Sequence, residues 1–320
     1  MSEPSQLLDR VRRAVRLRSL SRKTENAYTN HIRRFLEFTQ KSDFARIEIG
    51  DISAFFDYLE RDEKFSVSTQ NQALYALTFL YRDVFGRSFP FSAVNAKRAR
   101  RGTTPVVLTA EESKRVLANL SGAAYLAAAL MYGSGLKLSE TLNVRVGDIN
   151  VESGEITVRD LFTGAKERTT ILPKTIVPTL EKHLAEVRFT HEDDCLLGYG
   201  KVWLPLVVQR KHRNAAGEWD WQYVFPSCKL TATDDGVLRR HHLAESTVQK
   251  AVGEAATRAR LVKKVCCQTF RYSFAARLFE KHTNVRTIQN MLGHKNLKTT
   301  MSYINFFGIG GDFVQSPLDY

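Results

Sequence analysis

Apolar and polar positions alternate with helical spacing over the first 90 residues of the chain. The first stripe consists of Leu7, Leu8, Val11, Ala14 and Val15. A second stripe at 28–36 follows Ser21 and Thr24, either of which can cap a helix. Further stripes occupy 52–59 and 69–85. The pattern predicts a helical N-terminal unit. Its aromatic side chains either form the core or stack on nucleic-acid bases.

The remaining sequence mixes helical and strand patterns. Thr109 and Glu112 form a capping box at the start of a helix that buries Val116 and Leu117. An apolar run at 125–132 predicts a buried helix. The β-prone segments 155–159 and 169–172 flank a turn at Gly164, which predicts a hairpin. Further helices are predicted at 175–187, 245–260, 268–281 and 284–291.

A basic stretch without apolar periodicity separates the two patterns at residues 95–106. Its cations are Lys97, Arg98, Arg100 and Arg101. The stretch predicts an exposed linker between units at 1–94 and 107–320. It is either a solvated hinge or a strap along a phosphate backbone, since clustered Lys and Arg release counterions on binding phosphate.

The composition narrows the class of protein. The 320 residues are 43% hydrophobic and 25% charged, as in folded globular chains, and the net charge of +13 points to a polyanionic partner. No apolar run reaches the roughly 18 residues of a membrane span, and the N-terminus lacks a signal-peptide core, so no membrane association and a cytoplasmic location are expected. The cysteines form no CxxC pair and are expected to be reduced, mostly buried thiols. Metal signatures such as HExxH are absent, and no cofactor is implied.

The strongest chemical signal lies near the C-terminus. Arg271 is followed by Leu292-Gly-His294, and Tyr303 lies nine residues after that histidine. This spacing resembles the tyrosine recombinases, which cut DNA with a tyrosine hydroxyl and hold the end as a 3′-phosphotyrosine. The resemblance implies a mainly α (α+β) fold, a two-domain DNA clamp. A helical, SAM-like core-binding domain would precede a catalytic domain with a small β-sheet.

Three positions depart from the family's chemistry. Lys137 stands where the motif Gly-x-Gly-Leu-Arg-x-Ser-Glu has its arginine, and lysine lacks the bidentate fork of arginine. Thr163 occupies the place of the hairpin lysine that protonates the leaving oxygen, while Lys166 matches a second, less essential lysine. Gln268 replaces a histidine and cannot carry a proton. Such losses typically cost about 10²–10³-fold each, so strand cleavage is expected to be impaired.

The region between the predicted helix at 175–187 and Phe225 is longer than in simple Xer-type recombinases and resembles that of integron integrases. In that branch an insertion, here near 188–222, supports recognition of folded single-stranded attachment sites. Trp203, Trp219 and Trp221 either stack on bases or pack beneath the insertion. A basic run downstream is expected to contact DNA; it comprises Arg239, Arg240, His241 and His242.

The resemblance further implies a partner and an assembly. Double-stranded and folded single-stranded attachment sites are the expected DNA partners. A homotetramer is expected on two sites and a monomer without DNA. The tail after Tyr303 docks either on a neighbouring protomer or on its own domain. The sequence leaves three candidate functions: an active recombinase, a DNA-binding pseudo-recombinase and a helical transcription regulator. The Arg271, His294 and Tyr303 spacing argues against the regulator.

Overall fold

The computed structural model describes residues 3–18, 20–41, 47–91, 105–161, 163–233, 236–304 and 316–318. The chain divides into two compact units, Met1–Thr103 and Thr104–Tyr320. The mainly helical two-unit fold with a small sheet is therefore confirmed. The boundaries at 94 and 107 remain predictions, and the linker cations at 97–101 lie outside the described residues.

The first unit consists, within its described residues, of α1 (Glu3–Leu17), α2 (Arg22–Thr39), α3 (Ile49–Arg61) and α4 (Val67–Phe79). A π-helical turn at Leu80–Val84 continues α4. Ser21, rather than Thr24, caps α2 by accepting a hydrogen bond from the Thr24 amide. Phe35 and Phe55 are fully buried with ring centroids 5.1 Å apart, so these two aromatics belong to the core.

In its described residues, the second unit alternates helices with two small antiparallel sheets. Its helices are α5 (Ala110–Ala118), α6 (Gly122–Ser134), α7 (Leu138–Asn143), α8 (Val177–Leu196), α9 (Leu206–Lys211), α10 (Glu245–Arg258), α11 (Cys267–Glu280), α12 (Val285–Leu292) and α13 (Leu297–Ile304). The first sheet has the order β1 (Ile149–Asn150), β2 (Glu155–Arg159), β3 (Lys166–Ile171), and the second pairs β4 (Pro226–Ala232) with β5 (Leu238–His242). The core of this unit forms around α6, which is buried from Leu126 to Ser134.

The predicted hairpin is formed by β2 and β3. Its register pairs Val158 with Arg168 and Arg159 with Lys166, with a bulge between the two pairs. Gly164 lies in the connecting turn at φ +69°, a left-handed conformation that glycine adopts without steric cost.

Several elements differ from the sequence prediction. Helix α8 continues past residue 187 to Leu196. An ion pair between Arg188 and Glu192, one turn apart, supports these additional polar turns. The first part of the predicted insertion is thus an extension of α8. The β4–β5 hairpin was not predicted, since β4 is partly to fully exposed and shows no apolar alternation. Helix α13, which carries Tyr303, was also missed.

The expectation of mostly buried cysteines is wrong. Cys195, Cys228 and Cys266 are exposed, and only Cys267 is buried. Cys195 lies at the polar end of α8 and Cys228 on the solvent-facing strand β4. Within the described ranges, no helix combines the length and apolarity of a membrane span.

Candidate active site

Arg271 occupies the centre of the candidate site and is only 1% exposed. Its Nη1 donates to the Gly135 carbonyl and its Nη2 to the Leu292 carbonyl, both at 2.5 Å. These acceptors lie at the C-terminal ends of α6 and α12, where carbonyls lack intrahelical partners and the helix dipole is negative. Gly135 and Gly293 end the two helices at φ +67° and +66°. Two glycine-terminated helices therefore hold one buried guanidinium.

Glu140 gathers three cations around one carboxylate. Lys137 donates to it from both its backbone amide (2.8 Å) and its Nζ (2.9 Å). Arg168 forms a bidentate pair with Glu140 at 2.8 and 3.2 Å, and Arg271 Nη1 lies 3.5 Å from Oε2. Arg168 also donates from Nε to the Met291 carbonyl at 2.8 Å. The cluster joins the N-terminus of α7, strand β3, α11 and the end of α12.

The electrostatics of the cluster favour the ionised carboxylate. Burial alone would raise the pKa of Glu140, but Arg168, the Lys137 amide and Arg271 together hold that pKa at about 2. Burial lowers the pKa of Arg271, and Glu140 opposes this effect. Within the described residues, Arg271 Nε is buried without a hydrogen-bond partner. One donor of this guanidinium is thus unmet.

His294 contacts Arg271 in its neutral form. Arg271 Nη2 lies 3.2 Å from His294 Nε2, and His294 Nδ1 lies 3.0 Å from Thr300 Oγ1. Because arginine only donates, Nε2 must accept, which leaves the proton on Nδ1 for donation to Thr300. Burial, followed by the charges of Arg271, Lys137 and Arg168, lowers the pKa of His294 to about 4. The imidazole is therefore uncharged at neutral pH.

Tyr303 is half-buried between two rings. Its ring packs edge-on against Tyr272 at 4.5 Å and against His294 at 4.7 Å between centroids. Its hydroxyl accepts a hydrogen bond from Gln268 Nε2 at 3.0 Å. Four of the residues singled out from the sequence thus lie in one cluster: Gln268, Arg271, His294 and Tyr303. Lys137 joins them through Glu140.

The hairpin residues are engaged elsewhere. Thr163 donates from both its amide and its hydroxyl to Asp160 Oδ1, each at 2.8 Å, so the threonine closes its own turn. Lys166 is exposed at the start of β3. Within the described residues, no hydrogen bond or ion pair joins Thr163 or Lys166 to Arg271, His294 or Tyr303.

The basic run on β5 is half-buried throughout, not exposed as four consecutive polar residues suggested. Arg240 forms a bidentate pair with Asp194 at 2.5 and 2.7 Å and donates to the Ser227 carbonyl. Arg239 donates to the Thr233 hydroxyl. These contacts give both arginines a structural role, and their contact with DNA remains a prediction.

The two histidines of the run pack on one aromatic ring. His241 stacks on Tyr223 with centroids 5.4 Å apart, and His242 meets the same ring edge-on at 5.5 Å. His241 Nδ1 accepts from the His242 amide, and burial, His242 and Arg145 lower the pKa of His241 to about 4. The His241 ring therefore lacks, at neutral pH, the positive charge on which the DNA-contact prediction partly depended. Contact of the two histidines with DNA also stays a prediction.

Sequence reasoning did not single out Glu140 or Arg168 as site residues. The capping-box spacing of Lys137 and Glu140 was a usable signal, because it brings the carboxylate back to the helix N-terminus. The two-residue period of a β-strand was a second usable signal. Arg168 lies two residues before the buried Thr170, so both side chains point to the same, inner face of the sheet. Among the described residues, no group of three or more His, Cys, Asp or Glu side chains is placed to hold a metal ion.

Comparison with known proteins identifies the family. The Phage integrase family matches residues 106–307, and the Phage integrase, N-terminal SAM-like domain matches residues 7–90. This chain belongs to the phage integrase family of tyrosine recombinases. An "Integrase/recombinase" of Escherichia coli is 36% identical over 98% of this chain and 93% of its own length. Tyrosine recombinase XerA of Thermococcus kodakarensis is 27% identical over 95% and 92%.

Solved structures share the fold at lower identity. A lambda integrase dimer bound to a COC′ core site superposes with a TM-score of 0.62 at 17% identity, covering 97% of this chain and 98% of that one. The Tn1549 transposon integrase in complex with circular intermediate DNA gives 0.63 at 16% identity, with 93% and 94% covered. The family assignment makes site-specific recombination the general activity.

Proposed function

We propose that this chain is an integron-integrase-like recombinase that cleaves DNA slowly through a 3′-phosphotyrosine at Tyr303. The observation that carries the proposal is the single cluster of Tyr303, His294 and Arg271. Arg271 supplies a guanidinium charge beside His294, and its buried Nε–H has no hydrogen-bond partner among the described residues. The negative charge of a phosphate entering beside Tyr303 would also favour protonation of His294, whose Nε2 would donate to the phosphate once it has released the hydrogen bond from Arg271 Nη2.

The chemistry requires more than this cluster holds. The Tyr303 hydroxyl gives up its proton as its oxygen attacks phosphorus, the bond from phosphorus to the 5′ oxygen breaks, and that leaving oxygen takes up a proton from an acid. Gln268 binds the nucleophile but does not titrate. The Thr163 hydroxyl proton is engaged with Asp160. Lys137 offers one ammonium, already on Glu140, where a guanidinium fork would hold two phosphate oxygens.

The residues at positions 137, 163 and 268 therefore support slow strand cleavage with unimpaired DNA binding. Loss of one oriented donor typically costs about 10²–10³-fold in rate. The second candidate function, a pseudo-recombinase that binds DNA without cleaving it, is favoured by the same Thr163–Asp160 contact. Binding depends on dispersed cations, and the net charge is +13.

The test separates binding from cleavage. Affinity for a folded single-stranded attachment site and for its duplex form should fall steeply with salt concentration, as counterion release requires. Tyr303→Phe should leave both affinities nearly unchanged. A nicked substrate that traps the covalent intermediate should yield a slowly accumulating adduct with the unmodified chain and none with Tyr303→Phe. Absence of DNA binding at low salt would refute the proposal, whereas binding without adduct would support the pseudo-recombinase.

The proposed assembly is a monomer without DNA and a homotetramer on two sites. Residues 305–315 lie outside the described chain. Ser316 and Leu318 contact the second unit of the same chain, through hydrogen bonds with the Gly133 carbonyl and the Thr175 hydroxyl. Deleting residues 308–320 should abolish the higher-order complexes on DNA while sparing binding of the monomer. Unchanged assembly in a gel-shift or light-scattering experiment would refute this part.

A further inference from the structure

The turn of the β2–β3 hairpin packs closely against the segment after α8, at Pro205 and Val208 in the first turn of α9. A Cβ placed on Gly164 would lie 2.5 Å from Val208 Cγ2 and 3.5 Å from Pro205 Cγ. Gly164 is buried, whereas its neighbours Thr163 and Ala165 are exposed. The hairpin therefore touches the segment after α8 through one residue that has no side chain.

A half-buried arginine ties the same turn to the same segment. Arg159, the last residue of β2, donates from Nη1 to the Gly164 carbonyl at 3.2 Å and from Nε to Asp148 at 2.5 Å. Its guanidinium also lies 5.0 Å from the ring centroid of Trp221. The carbonyl of the turn glycine is thus fixed by a side chain that is itself held on two sides.

A second arginine, Arg145, holds the segment after α8 by hydrogen bonds to its backbone. Arg145 is 6% exposed and donates to the carbonyls of Trp221 (2.8 Å) and Trp203 (3.1 Å). Its backbone amide donates to Asp148, the same carboxylate that Arg159 contacts. Hydrogen bonds therefore connect the segment to the hairpin through Asp148.

We propose that Trp203, Pro205, Val208 and Trp221 form a seat that fixes the hairpin turn, with Val208 and Arg159 as positioning residues for position 163. The proposal rests on the proposed function, in which position 163 belongs to the leaving-group acid. A fixed turn also explains why Lys166 does not take over that role. Its strand would have to shift, and the seat holds the turn from which the strand starts.

A size-exchange experiment tests the seat in the free full-length protein, without DNA. Gly164→Ala imposes a left-handed alanine and a clash with Val208, whereas Gly154→Ala imposes the same backbone strain at φ +67° with nothing within 4 Å. Gly164→Ala should therefore lower the melting temperature more than Gly154→Ala. It should also accelerate amide hydrogen exchange at 163–166 by about tenfold or more, since exchange reports local opening.

Rescue by the compensating change identifies the contact. Val208→Ala removes the clashing methyl. The drop in melting temperature of Gly164→Ala/Val208→Ala, relative to the unmodified chain, should therefore be close to the sum of the drops caused by Gly154→Ala and by Val208→Ala. Exchange at 163–166 should slow relative to Gly164→Ala alone. Additive effects in the double variant, or exchange changes spread over the whole unit, would overturn the proposal.

A catalytic readout separates positioning from stability. In the Lys137→Arg/Thr163→Lys/Gln268→His background, Val208→Ala should lower the rate of covalent adduct formation about tenfold. DNA affinity should not change. Val207→Ala, at a neighbouring residue that is 45% exposed, should leave the rate unchanged. Equal rates for the two variants would refute the positioning role. If the background forms no adduct, the proposed function fails, and the exchange and rescue data still decide whether the seat exists.

Discussion

Gln268 donates a hydrogen bond from its side-chain amide to the Tyr303 hydroxyl, 3.0 Å away. The residue that the family resemblance predicts to replace a histidine therefore still orients the proposed nucleophile. An amide, however, neither accepts the phenolic proton nor carries a charge near the phosphate. Positioning without proton transfer is the expected character of the whole site.

Tyr272 is expected to act on Tyr303 by packing. Its ring meets the Tyr303 ring edge-on at 4.5 Å, an arrangement that stabilises aromatic pairs. Tyr272→Phe should preserve adduct formation, whereas Tyr272→Ala should reduce it about tenfold by releasing the nucleophile. The measurement is adduct yield with time on the nicked substrate. A larger loss with Tyr272→Phe would instead assign a role to the Tyr272 hydroxyl.

Glu140 should stabilise the fold in a pH-dependent manner. Its pKa of about 2 lies below the ordinary value of 4.5, so its contribution is fully present above about pH 4.5 and is lost as pH falls through 2. Glu140→Gln should lower the free energy of unfolding at pH 7 by roughly 3 kcal/mol, and the difference from the unmodified chain should shrink towards pH 2. Urea unfolding at several pH values measures this.

The matched control for that experiment is Glu192→Gln. Glu192 pairs with Arg188 at 3.2 Å, but both side chains are more than 60% exposed. Exposed pairs contribute at most about 1 kcal/mol, so this variant should resemble the unmodified chain. An equal loss in both variants would contradict the special role of the Glu140 cluster.

His294 should titrate far below the usual range in the free protein. Its pKa is about 4, so its neutral form stabilises the fold above the ordinary value of 6.5, and this contribution is lost as pH falls through 4. Imidazole NMR signals assigned with His294→Gln should show this pKa. Binding of DNA should raise the pKa, because a phosphate stabilises the imidazolium. A free-protein pKa between 6 and 7 would contradict the contact with Arg271.

Arg240 and Asp194 distinguish a structural arginine from a DNA-contacting one. Their side chains are 17% and 7% exposed, so breaking the pair by Arg240→Gln should cost about 3–5 kcal/mol in the free energy of unfolding. Asp194→Asn should cost a similar amount. If Arg240 also binds phosphate, only Arg240→Gln weakens DNA binding once both variants are compared well below their melting temperatures. Loss of DNA affinity in both would show that the pair acts through folding alone.

The fold was predictable where an apolar run or a capping signal marked an element. The buried run of α6 and the capping box of Thr109 and Glu112 both appear as predicted. Helix α13 was missed because its burial rests on residues such as Thr300, which is fully buried but polar. The β4–β5 hairpin was missed because its exposed strand has no apolar face.

The site was predictable as a set of residue types but not as a network. Motif spacing identified Arg271, His294 and Tyr303, which lie together. It could not show that Glu140 also binds Arg168 and Arg271, since these two partners are far from Glu140 in sequence. Nor could it show that Arg240 has a buried carboxylate partner on α8, because charge runs in a sequence carry no information about burial.

The most direct test of the account is covalent adduct formation on a nicked attachment site, measured for the unmodified chain and for Lys137→Arg/Thr163→Lys/Gln268→His. Since each restored group is worth about 10²–10³-fold and the gains need not add, the triple variant should form adduct several orders of magnitude faster. Thr163→Lys alone should fall well short of this gain. Adding Tyr303→Phe should abolish the adduct. Rapid adduct formation by the unmodified chain, or no gain from the triple change, would contradict the account.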